Sequence, residues 1–208
     1  MIDTKGKILD TAERLIGEYG YSATSLRHII SEAGVNLAAI HYHFGSKEEL
    51  LDELIVRKAG PVNAERLARL DRLEAGGESP APAVEKVLEA FFLPMAEAAD
   101  RDPGFVRLMG RMLSEGLMQG ILEKHFQTVT GRYFRALRRA LPVLSDEEFR
   151  WRLHFMIGAM AHTMCGQPDV TGLGGPSEGF HSRIERLIGF VAGGFHAPVR
   201  VAPGTEEK

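Results

Sequence analysis

Apolar residues recur along almost the whole chain at helical spacing, and no segment alternates convincingly with period two. Residues 5–19 carry Ile8, Leu9, Ala12, Leu15 and Ile16 on one stripe. Gly20 follows, suited to ending a helix in a left-handed turn. Thr24 or Ser25 can cap a second helix that buries Leu26, Ile29, Ile30 and Ala33 and closes at Gly34. Asn36 caps a third helix running to Phe44. Gly45 and Ser46 break it, and Ser46-Lys47-Glu48-Glu49 is a capping box for a fourth. That helix is expected to break and kink at Gly60-Pro61 and to resume through Leu73. A loop over 74–82 leads to an amphipathic helix over 83–99. Asp102-Pro103 opens the next helix, 121–141 reads as one long basic helix, and Ser145 to Glu148 forms a capping box for 147–165. A glycine-rich loop over 166–176 precedes a last helix over 177–195. The expected fold is all-α with about nine helices. Three form an N-terminal helix-turn-helix module over 1–47, and six form a larger helical bundle over 48–200. Residues 201–208 read as a disordered tail.

Composition narrows the class. The chain has 208 residues, 44% hydrophobic and 25% charged, as ordinary globular proteins do. Its single cysteine, Cys165, excludes an internal disulfide framework and fits a reducing compartment. The start of the chain lacks a signal-peptide pattern, and the apolar run near His162 is shorter than the roughly 20 residues a bilayer needs. A cytoplasmic location without membrane association is the expectation. Formal net charge is -3, so nothing global points to nucleic acid. Residues 1–47 balance Lys5, Lys7, Arg14, Arg27 and Lys47 against Asp3, Asp10, Glu13, Glu18 and Glu32. Only the placement of charge can support DNA binding.

The run His41-Tyr42-His43-Phe44 is the densest chemistry in the chain. It could hold a metal, fill a core, or face outward. Helical residues two apart point about 200° apart, so His41 and His43 cannot share one ion. Ile40 and Phe44, four apart, suit burial together. Leu37, Ala38, His41 and Tyr42 then occupy another face. Here the sequence becomes specific. Ala12-Glu13, Leu15-Ile16, Gly20-Tyr21, Thr24-Ser25, Ile29 and Ala33-Gly34-Val35 lead into Ile40-His41-Tyr42-His43-Phe44-Gly45-Ser46-Lys47-Glu48 and Leu50. This pattern resembles the DNA-binding domain of the TetR/AcrR family of bacterial transcription regulators.

The resemblance implies that the third helix enters the major groove of double-stranded operator DNA. Asn36, Leu37 and Ala38 would lie toward base edges. Leu37 and Ala38 can meet a thymine methyl but cannot bond guanine. Arg27 becomes the candidate for a guanine or phosphate contact. His41, Tyr42, Lys47, Thr24 and Ser25 would touch backbone, with His28 and His43 more often structural. Many family members carry a polar or basic residue where Leu37 stands, so this chain has fewer polar readers.

The same resemblance assigns dimerisation and effector binding to the larger module. Leu153, Ile157, Met160, Ala161 and Met164, with Ile184, Leu187, Ile188 and Val191, form two stripes that could make a homodimer interface or serve one subunit's core. Phe91, Met95, Phe105, Met109, Met112, Phe126 and Phe155 are candidates to line an apolar cavity, with Arg111 facing an acidic ligand head. Segments 105–112 and 149–156 resemble a fatty-acid-responsive subgroup, which makes a fatty acid or acyl thioester the first effector guess. A hydrophobic drug or aromatic metabolite is the second. The expected function is a repressor released from a palindromic operator by a small hydrophobic effector. A constitutive DNA-binding regulator is the alternative. No phosphate loop, metal spacing, cofactor fingerprint or catalytic triad order supports an enzyme, and no cofactor is expected. Cys165 and His162 are close in sequence, but a thiol ending an apolar helix usually packs.

Overall fold

The computed structural model describes residues 3–76, 81–165 and 179–199. Within them every regular element is helical: α1 Thr4–Tyr19, α2 Leu26–Ala33, α3 Leu37–His43, α4 Lys47–Ala75, α5 Val84–Arg101, α6 Pro103–Ser114, α7 Met118–Ile121, α8 Gln127–Ala140, α9 Asp146–Cys165 and α10 Phe180–His196. A π turn, Leu122–Phe126, joins α7 to α8. Counted as one stretch, α7, the π turn and α8 leave nine helical segments among the described residues.

The N-terminal caps follow the sequence. Asp3 accepts from the Gly6 amide at 2.8 Å, and Asn36 Oδ1 accepts from the Ala39 amide at 2.8 Å. Ser25, not Thr24, caps α2 by accepting from the His28 amide. Ser46 and Glu49 complete the reciprocal capping box that starts α4. Gly34 ends α2 at φ 59°, a left-handed turn that costs a side-chain-bearing residue dearly and that sets the tight α2–α3 angle.

Apolar faces then close the module. Ile8, Ala12, Leu15, Ile16, Ile29, Ile40 and Leu50 are all buried together. The same cluster continues through Leu54 and Ile55 of α4 into the larger bundle, so α4 belongs to both parts. There α10 packs along α5, α6 against α9, and α4 against α5 and α8. Helices α6 and α9 approach closely at Gly110, where an added Cβ would stand 3.0 Å from the Met164 carbonyl oxygen.

Three expectations are corrected. The fourth helix does not break at Gly60-Pro61 but runs unbroken from Lys47 to Ala75. Pro61 removes one amide donor, yet Ala59 and Val62 beside it are buried, and that packing holds the helix through the lost bond. The helix expected over 83–99 extends to Arg101, with Pro94 inside it. The single helix expected over 121–141 begins at Met118 and contains the π turn. The glycine-rich loop, the start of the last helix at 177 and the tail 201–208 lie outside the described residues. Among the described residues no helix is long and apolar enough to cross a membrane.

Candidate nucleic-acid interface and effector cavity

Helix α3 divides as its sequence dictates. Ile40 is buried, and Phe44 just beyond the helix is buried with it. Asn36, Leu37, Ala38, His41 and Tyr42 are exposed on the opposite side. Leu37 is 53% and Tyr42 85% exposed, high values for apolar and aromatic side chains with no functional reason to meet water. His41 Nδ1 faces the Gly45 carbonyl oxygen at 3.2 Å and must carry the proton to bond it. Nε2 is then an acceptor in the neutral ring and a phosphate donor only when the ring is charged. His43 packs edge-on to Tyr42 and near Phe44, which makes it a spacer within this face.

Charge placement matters more than its sum here. Lys5 pairs with Glu53, and Arg14 with Glu18 and Glu32. Arg27 is exposed near the start of α2 and has no salt-bridge partner among the described residues. Ser25 is exposed at the α2 N-terminus, where amides and helix dipole favour an anion. Lys47 is partly engaged within the protein. Its ammonium donates to the Tyr21 carbonyl at 2.5 Å and stacks 3.9 Å above the Tyr21 ring. Burial pulls its pKa below the usual lysine value.

Thr24 is corrected. It is fully buried, and its hydroxyl donates inward, to the Gly20 carbonyl at 2.7 Å and toward that of Leu15 at 3.3 Å. The residue fastens the α1–α2 turn and offers nothing to a phosphate.

A second feature lies inside the larger bundle. Phe91, Met95, Phe105, Met109 and Phe126 line an apolar cavity of about 200 Å³ together with Phe134 and Met156. Met112 is corrected, because it is fully buried in the core and off the cavity wall. Phe155 is corrected as well. It is 63% exposed and stacks on Trp151 at the surface. Arg111 points elsewhere, donating to the Gly17 and Glu18 carbonyl oxygens at the C-terminal end of α1. Those orphan carbonyls attract a cation more strongly than an apolar cavity does.

The expected dimer stripes are corrected in part. Leu153, Met164, Ile184, Leu187, Ile188 and Val191 are buried within the single chain. Ile157, Met160 and Met164 line the cavity, but Ile157 is also 39% exposed and Met160 and Ala161 are partly exposed, so the chain itself does not cover these three as it covers the rest. The outward apolar face lies one helical step away. It carries Trp151 and Phe155 on α9 and Phe190 on α10, 52%, 63% and 75% exposed, beside the open glycines Gly158, Gly189 and Gly193. Sequence reading missed this face, and it missed Arg66, Leu113, Leu122 and Thr130 on the cavity wall. For Arg66 a signal existed: it stands on the stripe Ala59, Val62, Asn63, Arg66, Leu70, a buried helix face.

Helix α6 ties cavity and DNA-facing module together. Phe105, Met109 and Leu113 of α6 face the cavity. Arg111 holds the end of α1, and Glu115 just past α6 accepts from the Tyr21 and Ser22 amides at 2.8 and 2.9 Å and from the Ser22 hydroxyl at 2.9 Å. Burial would raise the Glu115 carboxyl, but these donors outweigh it and hold it below its ordinary value.

Known proteins match on both modules. Residues 8–54 match the family model described as bacterial regulatory proteins, tetR family, and residues 89–194 that described as tetracyclin repressor-like, C-terminal domain. Over 51 residues the chain is 39% identical to the HTH-type transcriptional repressor KstR2 of Mycobacterium tuberculosis, a match covering 24% of this chain and 26% of that protein. Over 127 residues it is 28% identical to the HTH-type transcriptional regulator BetI of Rhizobium meliloti, covering 55% and 62%. The matched stretch is thus less than two thirds of either relative's length. Among solved structures, the fatty acid degradation regulator FadR from Bacillus halodurans superposes with a TM-score of 0.65 at 16% identity, over 91% of this chain and 98% of that one. The ketosteroid transcriptional regulator KstR2 of Mycobacterium tuberculosis gives 0.60 at 18%, over 93% and 95%. These relatives are regulators rather than enzymes. A helix-turn-helix with an outward-facing third helix, continued by a helical bundle, therefore matches a known family in both its parts, and the chain belongs to the tetR family of bacterial regulatory proteins.

Proposed function

We propose that this protein is a DNA-binding transcriptional repressor that acts as a homodimer and leaves a palindromic operator when a small hydrophobic effector occupies the α4–α9 bundle. The carrying observation is the exposed α3 edge of Asn36, Leu37, Ala38, His41 and Tyr42 within a matched tetR-type module. A seven-residue helix fits one turn of the major groove, and the exposed Arg27 and Ser25 flank it where phosphates would run. Leu37 and Ala38 suit thymine methyl groups, so the half-site is expected to be rich in A·T pairs beneath α3.

The apolar cavity favours ligand control over constitutive binding. A fatty acid or acyl thioester is the first effector class, supported by the subgroup resemblance in 105–112 and 149–156. Helix α6 supplies the linkage, because it touches the cavity on one side and the α1–α2 turn on the other. The effector shifts the equilibrium only by its differential affinity for the DNA-bound and released states. Selection of binding sites from random DNA, then titration with and without effectors, tests the reading. A recovered palindrome released by fatty acids supports it. Failure to enrich any sequence rejects the DNA-binding claim, and a palindrome that no apolar compound releases rejects induction.

A further inference from the structure

We propose that the cavity takes an apolar carboxylic acid in its free form, and that Arg66 of α4 is the side chain that receives the carboxylate. This rests on the cavity being the effector site, as proposed above. Arg66 is 4% exposed yet forms part of the cavity wall. Every other wall residue is apolar save Thr130. Its guanidinium donates through Nε to the Phe91 carbonyl at 2.8 Å and through Nη1 to Asn63 Oδ1 at 3.2 Å. Its central carbon lies 4.2 Å from the Phe91 ring centroid. None of these partners is an anion, and among the described residues no carboxylate lies within ion-pair distance of it. Nη2 has no hydrogen-bond partner among the described residues.

Arginine in a protein interior is ordinarily matched by a carboxylate, because desolvation of the ion is otherwise uncompensated. The other buried arginine among the described residues follows the rule: Arg152, 7% exposed, pairs with Glu148 at 2.8 Å. Arg66 departs from it on the wall of the apolar cavity, where a ligand has room. Burial pulls its pKa down to about 10, so it remains a cation at neutral pH. A planar guanidinium with a free nitrogen suits a carboxylate oxygen better than an alcohol or an amide. The methionines and phenylalanines around it suit a flexible apolar body.

The geometry separates two effectors left together above. An acyl thioester entering tail first brings no charge to Arg66, and its bulky anionic carrier could not follow into about 200 Å³. The free acid brings both parts. Capture there would also act on the chain. Arg66 is bonded to Phe91 of α5 and Asn63 of α4, and Asn63 Nδ2 donates to the His125 carbonyl in the π turn at 3.3 Å. A carboxylate drawing on Arg66 therefore changes the joint of α4, α5 and the π turn, on the helix whose first turn holds Lys47.

The test compares decanoate, decanol and decanoyl-coenzyme A on the full chain by calorimetric titration, for the wild type and for Arg66→Met and Arg66→Gln. The acid should bind the wild type about tenfold or more tightly than the alcohol. In both variants that ratio should fall to about one while alcohol affinity stays within about threefold. Equal binding of acid and alcohol to the wild type overturns the Arg66 proposal while leaving the cavity as an effector site. Tighter binding of the thioester than of the acid overturns it too. If neither acid, alcohol nor any other apolar probe binds, the cavity reading itself fails. The wild-type ratio decides even if a variant does not fold.

Discussion

Thr24 and Arg27 stand three residues apart and have opposite duties. Thr24 is sealed and bonded to two carbonyl oxygens, whereas Arg27 is exposed without an ion-pair partner among the described residues. Replacing Thr24 by valine keeps the volume but removes the donor to the Gly20 carbonyl and the longer second contact to that of Leu15. Denaturant unfolding should show a loss of about 1–2 kcal/mol. Operator affinity per folded molecule should hold within about twofold, since the hydroxyl never reaches the duplex. Arg27→Ala should do the reverse. Its unfolding midpoint should match the wild type, and binding should weaken. If the partner is a phosphate, the slope of log affinity against log salt should flatten by about 1. A steeply destabilised Arg27→Ala, or an unaltered salt slope together with unaltered affinity, would reject its placement on the DNA. Tyr42→Ala offers the matching aromatic test: an 85% exposed ring should contribute nothing to stability and measurably to binding. The exposed α3 edge was legible in the sequence because Ile40 and Phe44 fix which side is buried. Thr24 was not, since a hydroxyl next to a cap reads equally well as inward or outward until the turn is closed.

At the scale of elements, α6 is the connecting rod between cavity and α1–α2 turn. Glu115→Gln keeps the shape but leaves one accepting oxygen where two stood, so it removes the charge and at least one of the three bonds to Tyr21 and Ser22. Operator binding without effector should change little, while the affinity ratio with and without effector should shrink, measured by titrating one labelled operator under both conditions. An unchanged ratio would place the linkage elsewhere. The same carboxyl gives a sign for pH. Its folded value lies below the ordinary 4.5, so its stabilisation is complete above 4.5 and is lost as pH falls through the lower folded value. His181 runs the opposite way. Its bond to Asp100 at 2.7 Å raises it above 6.5, against a smaller effect of burial. That contribution is complete below 6.5 and disappears as pH rises through the raised value. Thermal unfolding across pH should therefore show Asp100→Asn abolishing part of the loss on the alkaline side. Helix starts were legible where a capping residue precedes an apolar stripe, as at Ser25, Asn36 and Ser46. Pro61 and the π turn were not. Both depend on tertiary packing that overrides a local preference, and one inserted hydrogen-bond register leaves no trace in a 3.6-residue period.

For the whole molecule, the decisive ambiguity is which buried stripe is buried by what. A period of 3.6 reports that a face avoids water, not whether its cover is the same chain or a second copy. The stripes of α9 and α10 read from sequence as an interface are covered by the chain itself, through Leu153, Ile184, Leu187, Ile188 and Val191. The face left open carries Trp151, Phe155 and Phe190, with glycines that let another helix pair approach. A two-fold axis through it would pair two copies of the α3 edge, and a palindromic operator demands such a pair. Phe190→Asp puts a charge at the centre of that face without touching either the cavity or α3. Sedimentation should show the wild type as a dimer and the variant as a monomer of unchanged helical content. A monomer presents one recognition helix at a time, so affinity for the two-half-site operator should drop by about a hundredfold or more, whereas affinity for an isolated half-site should scarcely move. A wild type that sediments as a monomer, or a Phe190→Asp dimer that still binds both half-sites, would show that the exposed aromatic face is not what pairs the recognition helices.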